Sequence, residues 1–271
     1  LDLGMQPSTG FPPFYELLRL LPRVTAVFLS HAHLDHYGLL SRLKLKGLKE
    51  YLGDPLPPII ASEETKLQIS MSLDDLVNKG LLTEDEKKEI VDSIQENKTG
   101  YGNIGSVYYR LIDSGHIRGS KMVLLEADGD SVLYTGDINF EDNEILRGAR
   151  PISEKVNTLI TEATYAGVKK KEDYEKRKSQ LIEIVDGSIQ EGFNVLIPAF
   201  SIQRAELVLR ILNDGINRGK IRTRDKIIAY GLGARFAKEF GEDVLNNVDF
   251  SFLDEKSAAS EIKELYWMDR G

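Results

Sequence analysis

Cysteine is absent from the 271 residues. No disulfide can staple this fold and no thiolate can hold a metal, so metal ligands must be imidazole or carboxylate. The absence also suits a cytoplasmic setting. No apolar run approaches the roughly 18 residues of a membrane-spanning helix, so no span is expected. The opening Leu1-Asp2-Leu3-Gly4 lacks the basic and apolar stretches of a signal peptide. It reads as a strand end, and residues upstream of it are expected. Positive charge is in deficit, with 35 Lys and Arg against 43 Asp and Glu and a net charge of −8. That argues against a uniformly basic nucleic-acid surface but leaves room for a local groove. The densest basic run is Lys169-Lys170-Lys171 with Lys176, Arg177 and Lys178. Glu172, Asp173 and Glu175 interrupt it, so it reads as a solvated helix face or a phosphate-facing patch. Histidine is scarce too, with four in the chain. Three stand together in His31-Ala32-His33-Leu34-Asp35-His36, and the fourth in Ser114-Gly115-His116-Ile117-Arg118-Gly119.

What is present is enough for a core. The chain is 41% hydrophobic and long enough for one large domain or two ordinary ones. Val24–Ser30 reads as a buried strand and Tyr37–Leu43 as a helix, which puts the histidine knot in a strand-to-helix turn. Pro55, Pro57 and Pro58 break the chain before a short strand, Ile59–Ala61. Ser72-Leu73-Asp74-Asp75 and Thr83-Glu84-Asp85-Glu86 have the capping-box pattern, and the second predicts a helix to about Gln95. Val107–Leu111, Met122–Ala127 and Ser131–Thr135 read as strands, with Asp128-Gly129-Asp130 as a hairpin turn. Val156–Thr161 reads as another buried strand. Beyond Thr164 strands and helices alternate. Helices are predicted over Lys171–Gln190, Ser201–Asn213 and from Ala234, with strands at Asn194–Pro198 and Ile227–Tyr230. The tail after Asp254 has a helical period in Ile262, Leu265 and Trp267. The class is α/β.

Candidate ligands stand just past predicted strand ends. His31 and His33 are two apart and can point the same way, while Asp35 and His36 can serve a second ion. One loop can thus feed two metals about 3.5 Å apart, the spacing of two-metal hydrolytic sites. His116, Asp137 and Glu162 follow three further strands. Taken singly each has a plain alternative: a turn or surface histidine, a turn aspartate after glycine, a helix cap or ligand-orienting acceptor. Three histidines and an aspartate in the register HAHLDH make the metal reading of the set.

These residues resemble the metallo-β-lactamase fold, whose signature is an HxHxDH loop, and within it the β-CASP nucleases. That branch holds the ribonuclease J enzymes and the cleavage and polyadenylation endonuclease. Ser30–Gly38 (SHAHLDHYG) looks like the first metal motif, Gly115–Ser120 like the second and Tyr134-Thr135-Gly136-Asp137 like the third. Thr161–Tyr165 and Ile197–Ala205 are similar to segments specific to the branch. The resemblance implies a metallo-β-lactamase αββα sandwich over residues 1–164. It implies a second α/β domain, β-CASP-like and incomplete, over residues 165–271. His31, His33 and His116 are implied to hold one zinc and Asp35 and His36 another, with Asp137 between them. Asp35, Asp137 and Glu162 become the catalytic candidates, Glu162 by supporting or orienting the site. Arg118, Ser201 and Arg204 become candidate phosphate contacts, although Arg204 can equally pair with an acid. The implied activity is zinc-dependent hydrolysis of RNA phosphodiesters, endonucleolytic or 5′–3′ exonucleolytic, by metal-activated hydroxide. Single-stranded RNA is the expected partner, with DNA an alternative, and a homodimer or a complex with a paralogue is allowed. Two other readings stand beside it: a small-substrate hydrolase of esters, lactams or thioesters, and a catalytically inactive partner or scaffold. The branch also carries downstream histidines, one a ligand of the second zinc and another the general acid. No histidine follows His116. The expectation is therefore a piece of a longer protein, a weak second metal site, or lost activity.

Overall fold

A computed structural model describes residues 1–5, 24–52, 56–168 and 173–250. The expectations for Pro55, for the lysine run at 169–171 and for the helical period after Asp254 lie outside the described residues. Backbone contacts divide the chain into two compact units, Leu1–Thr164 and Tyr165–Gly271.

The first unit opens with β1 (Val27–Phe28), α1 (Leu34–Leu52), β2 (Ile59–Ala61), α2 (Glu63–Asn78), α3 (Glu84–Ser93) and β3 (Ile94–Glu96). The three strands form a parallel sheet in the order β1-β2-β3. Parallel neighbours need crossovers, and the helices supply them. Val27, Ile59 and Ile94 are buried, as expected for short strands covered on both faces. Thr83 forms the predicted capping box, accepting from Glu86 N at 3.2 Å while Glu86 Oε2 accepts from Thr83 N at 2.9 Å. The other predicted box fails. Ser72 lies inside α2, and its hydroxyl donates to Gln68 O at 2.9 Å. The residues before it are already helical, so no orphan N–H group is left for it to cap. The N-cap of α2 is Ser62, which accepts from Thr65 N at 3.1 Å. Helix α3 stops at Ser93 rather than near Gln95 because Ile94 pairs with Ile59 in the sheet.

The second sheet runs β4 (Tyr101–Ile104), β5 (Val107–Asp113), β6 (Lys121–Ala127), β7 (Asp130–Tyr134) and β8 (Thr158–Ile160), in that order. It is antiparallel as far as β7, and β8 joins β7 in parallel. Asp128 (φ 52°) and Gly129 (φ 86°) make the two-residue turn between β6 and β7. Positive φ at both positions is the turn whose twist matches paired strands. Along β6, Val123 joins Phe28, Ile60 and Tyr109 in one core. Met122 and Leu124 join Leu133 in another. The alternation sends neighbouring residues to opposite faces. One face packs on the parallel sheet, and Ile138, Ile152 and Val156 cover the other. Two sheets face to face with helices outside are the αββα sandwich. The predicted buried strand Val156–Thr161 shortens to β8 and is exposed, with Leu159 at 56%. It is an edge strand, and among the described residues no strand pairs with its open side.

The second unit is also α/β. It holds α4 (Tyr174–Gln190), α5 (Arg204–Asn217), β9 (Ile227–Ile228), α6 (Gly231–Gly241) and β10 (Val248–Asp249), with β9 and β10 parallel. Helix α5 feeds two cores. Leu209 packs with Ala234 and Ala237, and Ile211 and Leu212 pack with Ile182 and Val185. The predicted strand Asn194–Pro198 is not a strand, and Leu196 is 78% exposed. It has no ladder partner among the described residues, and Pro198 lacks a donor. Ser201–Gln203 form a turn, so the helix expected from Ser201 begins at Arg204.

Candidate metal centre

The four histidines and Asp137 come together in the first unit. His31 and His33 stand between β1 and α1, and Asp35 and His36 in the first turn of α1. His116 belongs to the β5–β6 connection, and Asp137 follows β7. His31 Nε2 lies 3.0 Å from His33 Nδ1, and His116 Nε2 lies 3.1 Å from the same atom. Asp137 Oδ2 is 3.3 Å from His116 Nε2 and 3.8 Å from His31 Nε2. Zinc bonds of 2.0–2.1 Å in a tetrahedron put ligand atoms about 3.3–3.4 Å apart. The four observed separations bracket that edge. Ring nitrogens aimed at one another at such distances repel unless a proton or cation lies between them. The donor set thus fits a metal ion held by His31, His33, His116 and Asp137, whose ligand atoms all lie within 4.8 Å of one another.

Asp137 also faces the other way. Its Oδ1 lies 3.3 Å from His36 Nε2, and Asp35 Oδ2 lies 3.8 Å from that same nitrogen. Asp35, with its side chain 52% exposed, is the most open of the set. Glu162 contributes no atom to the four-ligand group. Its Oε1 accepts from Ile138 N at 2.8 Å, bracing the backbone next to Asp137. Arg118 lies two residues past His116 and gives its carbonyl to Gln68 Nε2 at 3.0 Å. Ser201 and Arg204 belong to the second unit, at the start of α5, with Arg204 exposed.

Three residues outside the candidate ligands and catalytic groups organise this site. Asp2 Oδ1 accepts from Ser30 N at 2.6 Å. Its Oδ2 accepts from Ser30 Oγ at 2.8 Å, His36 Nδ1 at 2.7 Å and Tyr134 OH at 2.6 Å. A carboxylate on Nδ1 fixes the imidazole and turns Nε2 toward Asp35 and Asp137. Ser30 Oγ is likewise 3.0 Å from His31 Nδ1, leaving His31 Nε2 for the cluster. Asp2 sits at φ 59°, a conformation uncommon outside glycine though tolerated by aspartate. No spacing rule ties it to the HxHxDH loop. Its one signal is a place in a strand-end-like segment.

Charge follows the same division. Burial first, and then the neighbouring imidazoles, hold His31 well below its usual value. Burial and then His116 bring His33 down to about 4. Both rings are therefore neutral near pH 7, the state that ligates metal. For His36 burial works the other way, but hydrogen bonds to Asp137 and Asp2 outweigh it and raise the ring to about 10. Asp137 is held below the usual carboxylate range, chiefly by its hydrogen bond to His36. A metal taking His36 Nε2 displaces that proton.

The profile of the metallo-beta-lactamase superfamily matches residues 2–164. The chain belongs to that superfamily. Among curated members it is 33% identical over 235 residues to an RNase J-like protein of Methanocaldococcus jannaschii, covering 82% of this chain and 50% of that one. It is 28% identical over 241 residues to the transcription termination factor FttA of a Lokiarchaeum species, covering 85% and 37%. It is 27% identical over 230 residues to cleavage and polyadenylation specificity factor subunit 3 of Dictyostelium discoideum, covering 79% and 28%. These likenesses extend past the 163-residue lactamase-type match and place the chain with the β-CASP nuclease branch of the superfamily. The chain spans half or less of the length of these relatives. Among the described residues no helix is long and apolar enough to cross a membrane.

Proposed function

We propose that this chain is a zinc-dependent phosphodiester hydrolase that cleaves single-stranded RNA. The observation that carries the reading is the divided carboxylate of Asp137. Its Oδ2 faces His31 and His116, and its Oδ1 faces His36. In this reading His31, His33 and His116 hold one zinc, Asp35 and His36 hold a second, and Asp137 stands between. When bound, the ions supply Lewis-acid activation of water and neutralise charge on the phosphoryl oxygens. The chain's own residues then divide the remaining work. Asp35, half open to solvent, takes the proton of the attacking water. Asp2 keeps His36 Nε2 turned inward through its bond to Nδ1. Glu162 holds the Ile138 N–H and with it the approach of Asp137. The water oxygen bonds to phosphorus as the phosphorus–oxygen bond to the leaving strand breaks, and the leaving oxygen takes a proton from solvent. Arg118, Ser201 and Arg204 are assigned to flanking phosphates. The ribonuclease and RNA-processing names of the relatives favour RNA over DNA.

Metal analysis of the full chain tests the site. The expected result is close to two zincs per wild-type chain, and loss of at least one in Asp137→Ala. One or none in the wild type removes the two-metal mechanism. End-labelled single-stranded RNA and DNA test the substrate. Cleavage of RNA that stops with a chelator and returns with zinc is expected. A zinc-loaded chain that leaves RNA intact would favour the reading as an inactive partner.

A further inference from the structure

His116 stands 83 residues from His33, in a connection with no ladder of its own. Within the connection Ser120 Oγ accepts from Ile117 N at 3.1 Å and Ser120 N donates to Ile117 O at 3.0 Å, and further support comes from outside. Two surfaces supply it. Asn139 donates its backbone N–H to Ser114 O at 2.9 Å and its Nδ2 to Gly115 O at 3.3 Å. On the far side of His116, helix α2 and its N-cap present Ser62, Thr65 and Gln68. Their spacing of three puts them along one helical face. Ser62 Oγ and Thr65 Oγ1 donate to Gly119 O at 2.7 and 3.1 Å, and Gln68 Nε2 donates to Arg118 O at 3.0 Å.

All three side chains are buried, at 3%, 0% and 1% exposure. A buried row of polar groups costs free energy unless its hydrogen bonds are made. These groups aim at the carbonyls that follow His116. The contact is close. Gly119 has φ +75°, and a Cβ there would stand 2.6 Å from Glu64 Cβ and 2.8 Å from Ser62 Oγ. Only glycine lets the loop press on the first turn of α2 in this way.

We propose that Thr65 and Gln68, with Ser62, are positioning residues for the metal centre. They set the His116 imidazole by holding the carbonyls of Gly119 and Arg118. The inference rests on reading His31, His33, His116 and Asp137 as a metal site. It adds that a face of α2 governs how tightly that site closes.

The test uses the full chain with zinc competed against a chromophoric chelator, and cobalt(II) as a spectroscopic stand-in. Thr65→Val keeps the shape and removes the donor. Gln68→Met does the same at the second position, so either one that folds decides the matter. Thr65→Ser restores a hydroxyl. Thr83→Ala weakens the exposed cap of α3 and reports what general destabilisation does. Thr65→Val and Gln68→Met are expected to weaken the tighter zinc about tenfold or more, as supporting groups around metal ligands do. Both are expected to alter the visible spectrum of the cobalt form. Thr65→Ser is expected to restore affinity and spectrum, and Thr83→Ala to change neither. The proposal is overturned if the Val and Met variants bind as tightly as wild type, if Thr65→Ser fails to rescue, or if Thr83→Ala weakens binding equally. A wild-type chain that binds no zinc overturns the metal reading itself, and this inference with it.

Discussion

At the residue scale the centre depends on groups of two kinds. His31, His33, Asp35 and His36 are neighbours in the chain, and their spacing alone announces a metal site. Ser30 and Tyr134 flank ligands inside the motifs without being ligands, and Asp2 carries no such signature, yet Asp2 takes four hydrogen bonds and orients His36. Their joint role was illegible because Asp2 stands 28 residues from Ser30 and 132 from Tyr134, with no spacing rule linking the three. Asp2→Asn is expected to weaken the second zinc by about 10–100-fold while sparing the first. Zinc titration with stepwise affinities checks this, and equal weakening of both ions would contradict it. The metal-free chain should also show its charges in pH. His36, raised to about 10, adds stability that is complete below about pH 6.5 and lost as pH rises through about 10. His31 and His33 are held down, so acid below about pH 6.5 favours the unfolded chain, which takes the protons they refuse. Urea midpoints of the metal-free chain should therefore fall on both sides of neutrality. Asp2→Asn should flatten the alkaline limb, and an unchanged limb would remove Asp2 as its cause.

At the scale of elements, local chemistry was readable where the chain itself satisfies the bonds. The Thr83–Glu86 capping box and the Asp128–Gly129 turn form as their residues dictate. Thr83→Ala is expected to cost about 1 kcal/mol in chemical denaturation of the metal-free chain. Leu124, 1% exposed in the core of the five-stranded sheet, should cost about 2–5 kcal/mol on truncation to alanine. A loss well under 1 kcal/mol at Leu124 would mean that this core is loosely packed. Elements that depend on partners were not readable. Ser72 has the residues of a cap but lies within a helix already begun at Glu63. Asn194–Pro198 has the residues of a strand but no strand beside it among the described residues. Ile94 leaves a helical pattern because Ile59 offers it a ladder.

For the molecule as a whole, the four-ligand group lies within Leu1–Thr164, and no comparable group occurs among the described residues of Tyr165–Gly271. Ligand binding stabilises only the unit whose folded state binds it, by about 2.7 kcal/mol at a hundredfold excess over Kd. Calorimetry of the full chain is expected to resolve two transitions, with zinc raising one and leaving the other in place. A single transition that moves as a whole with zinc would show that the two units unfold together.

The sequence by itself determined the chemistry of the ligands, the α/β class and most of the elements. These depend on residue type and short spacing, which act before the chain folds. Only tertiary structure decided which carboxylate orients His36, which oxygen of Asp137 faces which histidine, and which helix face holds the His116 loop. Each of those is a meeting of side chains distant in sequence. The geometry of a metal site is set by where they meet.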